Sequence, residues 1–283
     1  VWGNTKINIL DTPGYFDFVG EAEEAAAAAD AAIIVVNCKA GIEVGTEKAW
    51  ELCEKYRLPR LIFVTNMDDD HASFRELVLK LERRFGRSVA PFQLPIRENE
   101  KFVGYVNVVK MGGRRFTNLS DYEECEIPEY SQKNLGIARD ALLEAVAETS
   151  EEYMERYFSG EEFTLDEIQG ALREHVIDGS IVPVLMGSGI NCQGFKTLLQ
   201  VIDRYLPTPD KFECVGVDVS TGERFTAKYN DDVSLSARVF KTIVDPFIGK
   251  YSLPARHFFR IRRIYIEQFL ERHTSDPCHR VQR

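Results

Sequence analysis

Four short apolar runs limit what this chain can fold into more than any other feature. Each run has four or five residues, the length of a strand buried on both faces of a parallel sheet. The runs are Ile7 to Leu10, Ile33 to Val36, Leu61 to Val64 and Val182 to Met186. Helical patterns follow the first three runs, at Phe18 to Asp30, Glu43 to Tyr56 and Ala72 to Phe85. The sequence therefore predicts an α/β fold, with a mostly parallel sheet and helices on both faces.

Composition excludes several classes of protein. The 283 residues suffice for two units, and 44% hydrophobic and 28% charged residues are typical of globular proteins. The longest apolar stretch, Ala25 to Val36, is shorter than the ~20 residues that cross a bilayer. Residues Val1 to Lys6 lack the basic start and apolar core typical of a signal peptide. The six cysteines form no C-x-x-C pair, and the net charge of -10 argues against broad binding to nucleic acid. We expect a cytoplasmic monomer with no membrane or DNA partner.

Residues from about 88 to 180 break the alternating pattern and are predicted to form an insertion. The insertion combines a β-like stretch, a glycine turn, an acidic loop and two helices. In order, these are Phe102 to Met111, Gly112-Gly113, Asp121 to Glu126, Asn134 to Tyr157 and Leu165 to Asp178. Thr164 and Glu167 form a capping box, which predicts where the second helix begins.

The C-terminal part is predicted to contain a linker, the start of a β domain and a tail. A helix from Phe195 to Tyr205 ends at Leu206-Pro207-Thr208-Pro209, which breaks helical structure. Strands are predicted at Phe225 to Tyr229 and Ser234 to Thr242, with a turn at Asp231-Asp232. The predicted domains are residues 1–209, with the insertion, and the start of a β-barrel at 210–253. In the tail at 254–283, the basic, aromatic segment from Arg256 to Glu271 fits an amphipathic helix. Such a helix suits contact with RNA or an anionic surface, but we favour the alternative that the tail is non-native.

The segment Asp11-Thr12-Pro13-Gly14 follows the first predicted strand, at the sheet edge where α/β proteins bind ligands. The carboxylate of Asp11 suits Mg²⁺ held through water, and Gly14 lets a backbone N–H approach a phosphate oxygen. The alternative is an ordinary turn, since Asp, Pro and Gly are common turn residues. Alone, this segment does not decide between the two.

A second acidic residue, Asp68, follows the third predicted strand and could accept two hydrogen bonds from the N–H groups of a guanine ring. The alternative is that Asp68-Asp69-Asp70 only decorates the N-terminus of the following helix. Gly187-Ser188-Gly189 follows the fourth strand, so three loops of suitable chemistry leave the same edge of one sheet. This shared position favours a guanine-nucleotide site.

The segment Asp11 to Phe18, with the sequence DTPGYFDF, resembles the switch II segment of elongation factor G. The resemblance continues over most of the chain, through Leu58 to Val64, Gly187 to Gly189, Tyr205 to Pro209 and Asp245 to Lys250. The chain is therefore similar to part of a translational GTPase.

That resemblance implies a P-loop-NTPase-like GTPase domain with an inserted subdomain, followed by a β-barrel domain. It implies that GTP or GDP binds with Mg²⁺ and that the whole protein acts on ribosomal RNA and proteins in translocation. It assigns catalysis to Gly14 and to Tyr15, which stands where the family has histidine. The implied nucleotide-binding residues are Asp11 (also for Mg²⁺, through water), Thr12, Pro13, Gly14, Thr65, Asn66, Asp68, Ser188 and Gly189.

Two positions depart from the family pattern. A phenol such as Tyr15 does not become a cation near neutral pH as an imidazole can, so we predict weak hydrolysis. The guanine-reading pattern Asn-Lys-x-Asp appears as Thr65-Asn66-Met67-Asp68, and an alternative register would pair Asn66 with Asp69. The protein is then either a GTPase or a ribosome-binding paralogue or ribosomal protection factor with weak or no GTPase activity.

The sequence has no G-x-x-x-x-G-K-[ST] motif, whose backbone N–H groups and lysine hold phosphates in this family. We therefore expect the chain to be part of a longer protein and to bind GTP weakly on its own. We also expect its sheet to lack the first strand, which would leave apolar surface uncovered and an edge open.

Overall fold

A computed structural model describes residues 1–117, 121–212, 214–218, 220–227, 237–247, 249–256 and 261–268. Its main feature is a six-stranded sheet in the order β1-β14-β2-β3-β9-β4, in which every neighbouring pair is parallel. The strands are β1 (Lys6–Thr12), β2 (Ala31–Asn37), β3 (Arg60–Thr65), β4 (Val89–Pro91), β9 (Val182–Met186) and β14 (Ile261–Gln268). The four predicted strands are thus confirmed, and β9 has the predicted ends.

Helices cover both faces of this sheet because its central strands are apolar on both sides. In β2, Ile33 packs into one core while Ile34 packs into the other. Helices α1 (Val19–Ala28), α2 (Val44–Tyr56) and α3 (Phe74–Phe85) cover the face of Ile34. The face of Ile33 is covered by α4 (Glu129–Ala147), α6 (Leu165–Asp178) and α7 (Phe195–Tyr205), and α5 (Glu151–Ser159) packs beside α4. The fold is the predicted α/β sandwich, and none of the described helices is long and apolar enough to span a bilayer.

The amphipathic helix predicted in the tail is not found at residues 261–268. They form β14 rather than an amphipathic helix, and β14 lies inside the sheet between β1 and β2. Lys6 pairs with Ile261, and Ile264 pairs with Ala31 on the other side. A strand therefore separates β1 from β2, and the sheet edge in this region is β1 itself.

The predicted insertion contains a second, antiparallel sheet in the order β5-β6-β7-β8. Its strands are β5 (Gln93–Glu98), β6 (Lys101–Asn107), β7 (Gly112–Phe116) and β8 (Tyr122–Cys125). The sheet packs beside α7, and Phe102, Tyr105 and Val106 of β6 are buried. The preceding strand β4, at the start of the predicted insertion, belongs to the main sheet.

Three predictions within the insertion are wrong. Gly112 and Gly113 begin β7 instead of forming a turn, because a Cβ on Gly113 would lie 2.5 Å from the carbonyl oxygen of Cys125. The predicted acidic loop contains strand β8, an edge strand, where charged side chains are tolerated. The predicted helix from Asn134 to Tyr157 is two helices, and α5 begins afresh where the Ser150 side chain accepts a hydrogen bond from the N–H of Tyr153.

Other element predictions are confirmed. Helices α6 and α7 have the predicted ends, and Thr164 and Glu167 form the capping box at the start of α6. Two antiparallel pairs follow the linker: β10 (Cys214–Val217) with β11 (Arg224–Ala227), and β12 (Ala237–Asp245) with β13 (Gly249–Arg256). The turn predicted at Asp231-Asp232, with the adjoining ends of both predicted strands, lies outside the described residues.

Candidate functional site

The candidate site lies at the carboxyl edge of the main sheet. Asp11 and Thr12 are the last residues of β1, Thr65 is the last residue of β3, and Ser188 follows β9 by two residues. Because the strands are parallel, all three loops leave the same edge. Strands β14 and β2 lie between β1 and β3, and a strand spacing of about 4.8 Å puts their ends roughly 14 Å apart.

The loops after β3 and β9 are in direct contact. The N–H of Met67 donates to the carbonyl of Gly187 over 3.2 Å, and the N–H of Gly187 donates to the carbonyl of Val64 over 2.9 Å. A Cβ built on Gly189 would lie 3.9 Å from Oγ1 of Thr65. The structure therefore brings Thr65, the loop of Asp68 and Gly189 together.

Ser188 is fully buried and shapes the loop after β9 from within. Its side-chain oxygen accepts a hydrogen bond from the N–H of Asn191 over 3.1 Å. Its backbone exchanges two hydrogen bonds with Gln193, at 3.0 and 3.1 Å. The following residue, Gly194, has a φ of +88°, and a Cβ there would come within 2.4 Å of the carbonyl oxygen of Met186. Glycine at 194 lets the chain turn tightly from this loop into α7.

The carboxylates of Asp68 and Asp69 are in different situations. Oδ1 of Asp68 is buried and has no hydrogen-bond partner in the part of the chain that the structure describes. The Asp69 carboxylate instead accepts a hydrogen bond from the N–H of His71 over 2.9 Å and pairs with Lys39 over 3.2 Å. The hydrogen bond from His71, followed by that from Lys39, lowers the pKa of Asp69 below its usual value. Asp69 is thus engaged inside the protein, whereas Asp68 keeps an unused acceptor.

The loop after β1 also lines a cleft that the other two loops do not line. Pro13, Gly14 and Tyr15 line a cleft of about 290 Å³ together with residues of α1 and α2, and neither Asp68 nor Ser188 lines that cleft. The side chain of Tyr15 is 63% exposed. Asp11 is exposed at the end of its strand, and the adjacent Thr12 is buried.

Sequence reasoning missed two side chains that hold the loop after β3. Arg97 of β5 donates to the carbonyls of Met67 and Ala72 over 2.8 and 3.1 Å, and so fixes both ends of the turn that carries Asp68. Lys39, in the loop after β2, pairs with Asp69. Lys39 could have been predicted, because it lies two residues past the end of β2, at the edge where the other loops lie. Arg97 could not, because it comes from the inserted sheet and no local sequence pattern indicates its contact with this loop.

A parallel α/β sheet with acidic and glycine-containing loops at its carboxyl edge is typical of nucleotide-binding proteins. The family model of the elongation factor Tu GTP-binding domain matches residues 1–208. A crystal structure of a protein from Thermus thermophilus is similar with a TM-score of 0.72 and 35% sequence identity, over 85% of this chain. The chain spans 34% of the length of that chain. The chain belongs to the translational GTPase family that carries the elongation factor Tu GTP-binding domain.

Proposed function

We propose that this chain supplies the guanine-reading part of a longer, elongation-factor-G-like GTPase that acts in translocation on the ribosome. The domain organisation that goes with this proposal is a GTPase domain at residues 1–209, with its insertion, and the beginning of a β-barrel domain at 210–253. Membership of the translational GTPase family supports the ribosome as partner, and we place the protein in the cytoplasm as part of the same proposal.

One observation carries the nucleotide proposal: Oδ1 of Asp68 is buried and finds no hydrogen-bond partner among the described residues. A buried carboxylate oxygen without a donor is costly, and a guanine ring offers two adjacent N–H donors at N1 and N2. Because Asp69 is already engaged by His71 and Lys39, Asp68 is the better candidate for this role. This supports the register in which Thr65-Asn66-Met67-Asp68 aligns with the family pattern.

The other loops are assigned by position. Ser188 and Gly189 adjoin the loop of Asp68 and would place a backbone N–H near the guanine carbonyl. The loop from Asp11 to Gly14 lies roughly three strand spacings away, about 14 Å. This suits a ligand with its ring at one end and its phosphates at the other.

The residues at the phosphate end fit Mg²⁺ only in part. Within the described ranges, no three His, Cys, Asp or Glu side chains come together in a group that could hold a metal. Asp11 would hold Mg²⁺ through water, with phosphate oxygens as further ligands. The ion would neutralise charge on the phosphates, while Gly14 would offer its N–H to the terminal phosphate.

A substitution at Asp68 tests the guanine assignment by changing the preferred base. In Asp68→Asn, the amide oxygen can still accept a hydrogen bond from N1–H of guanine. The amide NH₂, however, meets the N2 amine of guanine, so two donors face each other and no hydrogen bond forms there. Xanthine carries an oxygen at that position, so it suits the variant. We expect GDP affinity to fall and xanthosine diphosphate affinity to rise, each by roughly 10- to 100-fold, the worth of one charge-assisted hydrogen bond. Fluorescence titration measures both.

The matched control is Asp70→Asn, which removes the same charge from an exposed position two residues away. We expect this control to leave the preference for guanine over xanthine unchanged. Equal base preference in Asp68→Asn and the wild type would refute the assignment.

A second candidate function is favoured by Tyr15. An exposed phenol at the position of the family histidine suits a ribosome-binding paralogue or ribosomal protection factor that holds GTP and turns it over slowly. Phosphate release from the longer protein, measured with and without ribosomes, separates the two: nucleotide binding without stimulated release favours the second.

A further inference from the structure

A second cleft, of about 150 Å³, lies between the inserted sheet and helix α7. Gln93 of β5, Lys110 and Arg114 of the β6–β7 hairpin, and Arg204 of α7 line it. None of the residues assigned to the nucleotide site lines this cleft. Whatever it binds is therefore separate from the proposed nucleotide.

The cleft is strongly cationic, although the chain as a whole carries a net charge of -10. Three cations, Lys110, Arg114 and Arg204, face a single lining carboxylate, Asp203, among the described residues. Burial, and then repulsion by Arg204 and Arg114, lowers the pKa of Lys110, and attraction by Glu124 opposes this. The Lys110 ammonium thus lies near two guanidinium groups, and a bound anion would offset the repulsion among the three positive charges.

Arg114 is the most informative of the three cations because only 9% of it is exposed. Its Nη1 donates to the hydroxyl of buried Tyr105 over 3.0 Å, and its guanidinium lies 4.3 Å from the ring centroid of Tyr122. Within the described ranges it has no carboxylate partner. A buried guanidinium without a counter-charge is costly, and cation–π contacts offset this cost only in part.

Gln93 adds a neutral hydrogen-bond donor. It is 1% exposed, and its Oε1 accepts a hydrogen bond from the N–H of Met186 over 2.9 Å. This bond fixes the orientation of the amide, since a backbone N–H must face the oxygen. The Nε2 group is buried and has no partner in the described part of the chain. The amide of Gln93 therefore adds an unused donor to a cleft that Lys110, Arg114 and Arg204 also line, although Nη1 of Arg204 already donates to Gln169.

We propose that this cleft binds a small tetrahedral oxyanion, the phosphate group of inorganic phosphate or of a short phosphomonoester. The guanidinium groups match the oxygen geometry of phosphate, and Gln93 and Lys110 supply further donors. The volume of about 150 Å³ is below the ~300–1,000 Å³ typical of drug-sized ligands, so a whole nucleotide does not fit.

Calorimetric titration of the 283-residue chain with inorganic phosphate tests the proposal, at constant ionic strength and without nucleotide. We expect saturable binding that weakens about tenfold in Lys110→Gln and in Arg204→Gln, since each loses a charged donor. Both side chains are exposed enough to be replaced without unfolding the protein. Asp203→Asn should tighten binding, because it removes a negative charge from the cleft wall while keeping an oxygen that can accept from the hydroxyl of Thr5. A merely structural role for Asp203 would not produce this gain.

The matched control is Lys133→Gln, on the exposed side of α4, which should bind phosphate as the wild type does. A parallel titration with glycerol phosphate identifies the source: binding of both compounds indicates a phosphomonoester site, and binding of phosphate alone indicates a site for the free ion. No saturable binding, or equal affinity in the wild type and in Lys110→Gln and Arg204→Gln, overturns the proposal. Because no nucleotide is present, either result leaves the guanine assignment untouched.

Discussion

At the scale of single residues, Tyr15 decides how fast the proposed GTPase can work. Phosphoryl transfer depends on positioning and electrostatics, so the group that orients the attacking water matters. Tyr15 is 63% exposed, so water can reach its side chain. A phenol also remains neutral at the pH where an imidazole can take up a proton.

Replacing Tyr15 with histidine should therefore speed hydrolysis. We expect ribosome-stimulated GTP hydrolysis by the longer protein to rise about 100-fold in Tyr15→His, the lower end of what a positioned acid–base group contributes. Phosphate release in single-turnover reactions measures the change.

The matched control for this substitution is Tyr15→Phe, which keeps the ring and removes the hydroxyl. It should hydrolyse GTP no faster than the wild type. If histidine gave no gain, or phenylalanine gave the same gain, position 15 would not be the one that limits the rate.

At the scale of elements, the inserted sheet supports the loop that reads the base. The Arg97 side chain of β5 donates a hydrogen bond to the carbonyl of Glu100, in the adjoining turn, over 2.6 Å. The same guanidinium donates to the carbonyls of Met67 and Ala72. The insertion therefore contributes directly to the rigidity of the loop after β3.

Removing this guanidinium should loosen that loop. In Arg97→Ala we expect hydrogen exchange over residues 66–72 to become at least about tenfold faster, because hydrogen bonds from a charged donor to two carbonyls of the loop are lost. The matched control is Arg115→Ala, which removes an arginine of the same sheet that pairs with exposed Glu98. Unchanged exchange in Arg97→Ala, or the same increase in both variants, would show that Arg97 does not hold the loop.

At the scale of the whole molecule, the sequence predicts the parts of the fold that depend on local patterns. Buried strands such as Val182–Met186 and capped helices such as Leu165–Asp178 carry their signal within a few residues. Local sequence also predicts where the candidate site lies, because a polar residue that directly follows a buried parallel strand lies at the carboxyl edge of the sheet. Asp68 and Ser188 were predicted in this way.

The parts that could not be predicted involve residues far apart in the chain. Lys6 pairs with Ile261, and nothing within β14 indicates which strands it joins. Arg97 donates to a carbonyl 30 residues earlier in the chain, and the sequence around Arg97 contains no pattern that indicates this contact. Gly112-Gly113 misled because glycine allows close backbone approach in a sheet as well as a turn. Tertiary contacts decide all three.

The central claim is that the loops after β1, β3 and β9 form one guanine-nucleotide site, and NMR titration of the chain with GDP tests it most directly. We predict that backbone amide signals of Thr12 to Gly14, Thr65 to Asp68 and Gly187 to Gly189 shift together with one weak dissociation constant. ADP at the same concentrations should leave the second and third groups unmoved. Shifts confined to one loop, or equal responses to GDP and ADP, would contradict the claim.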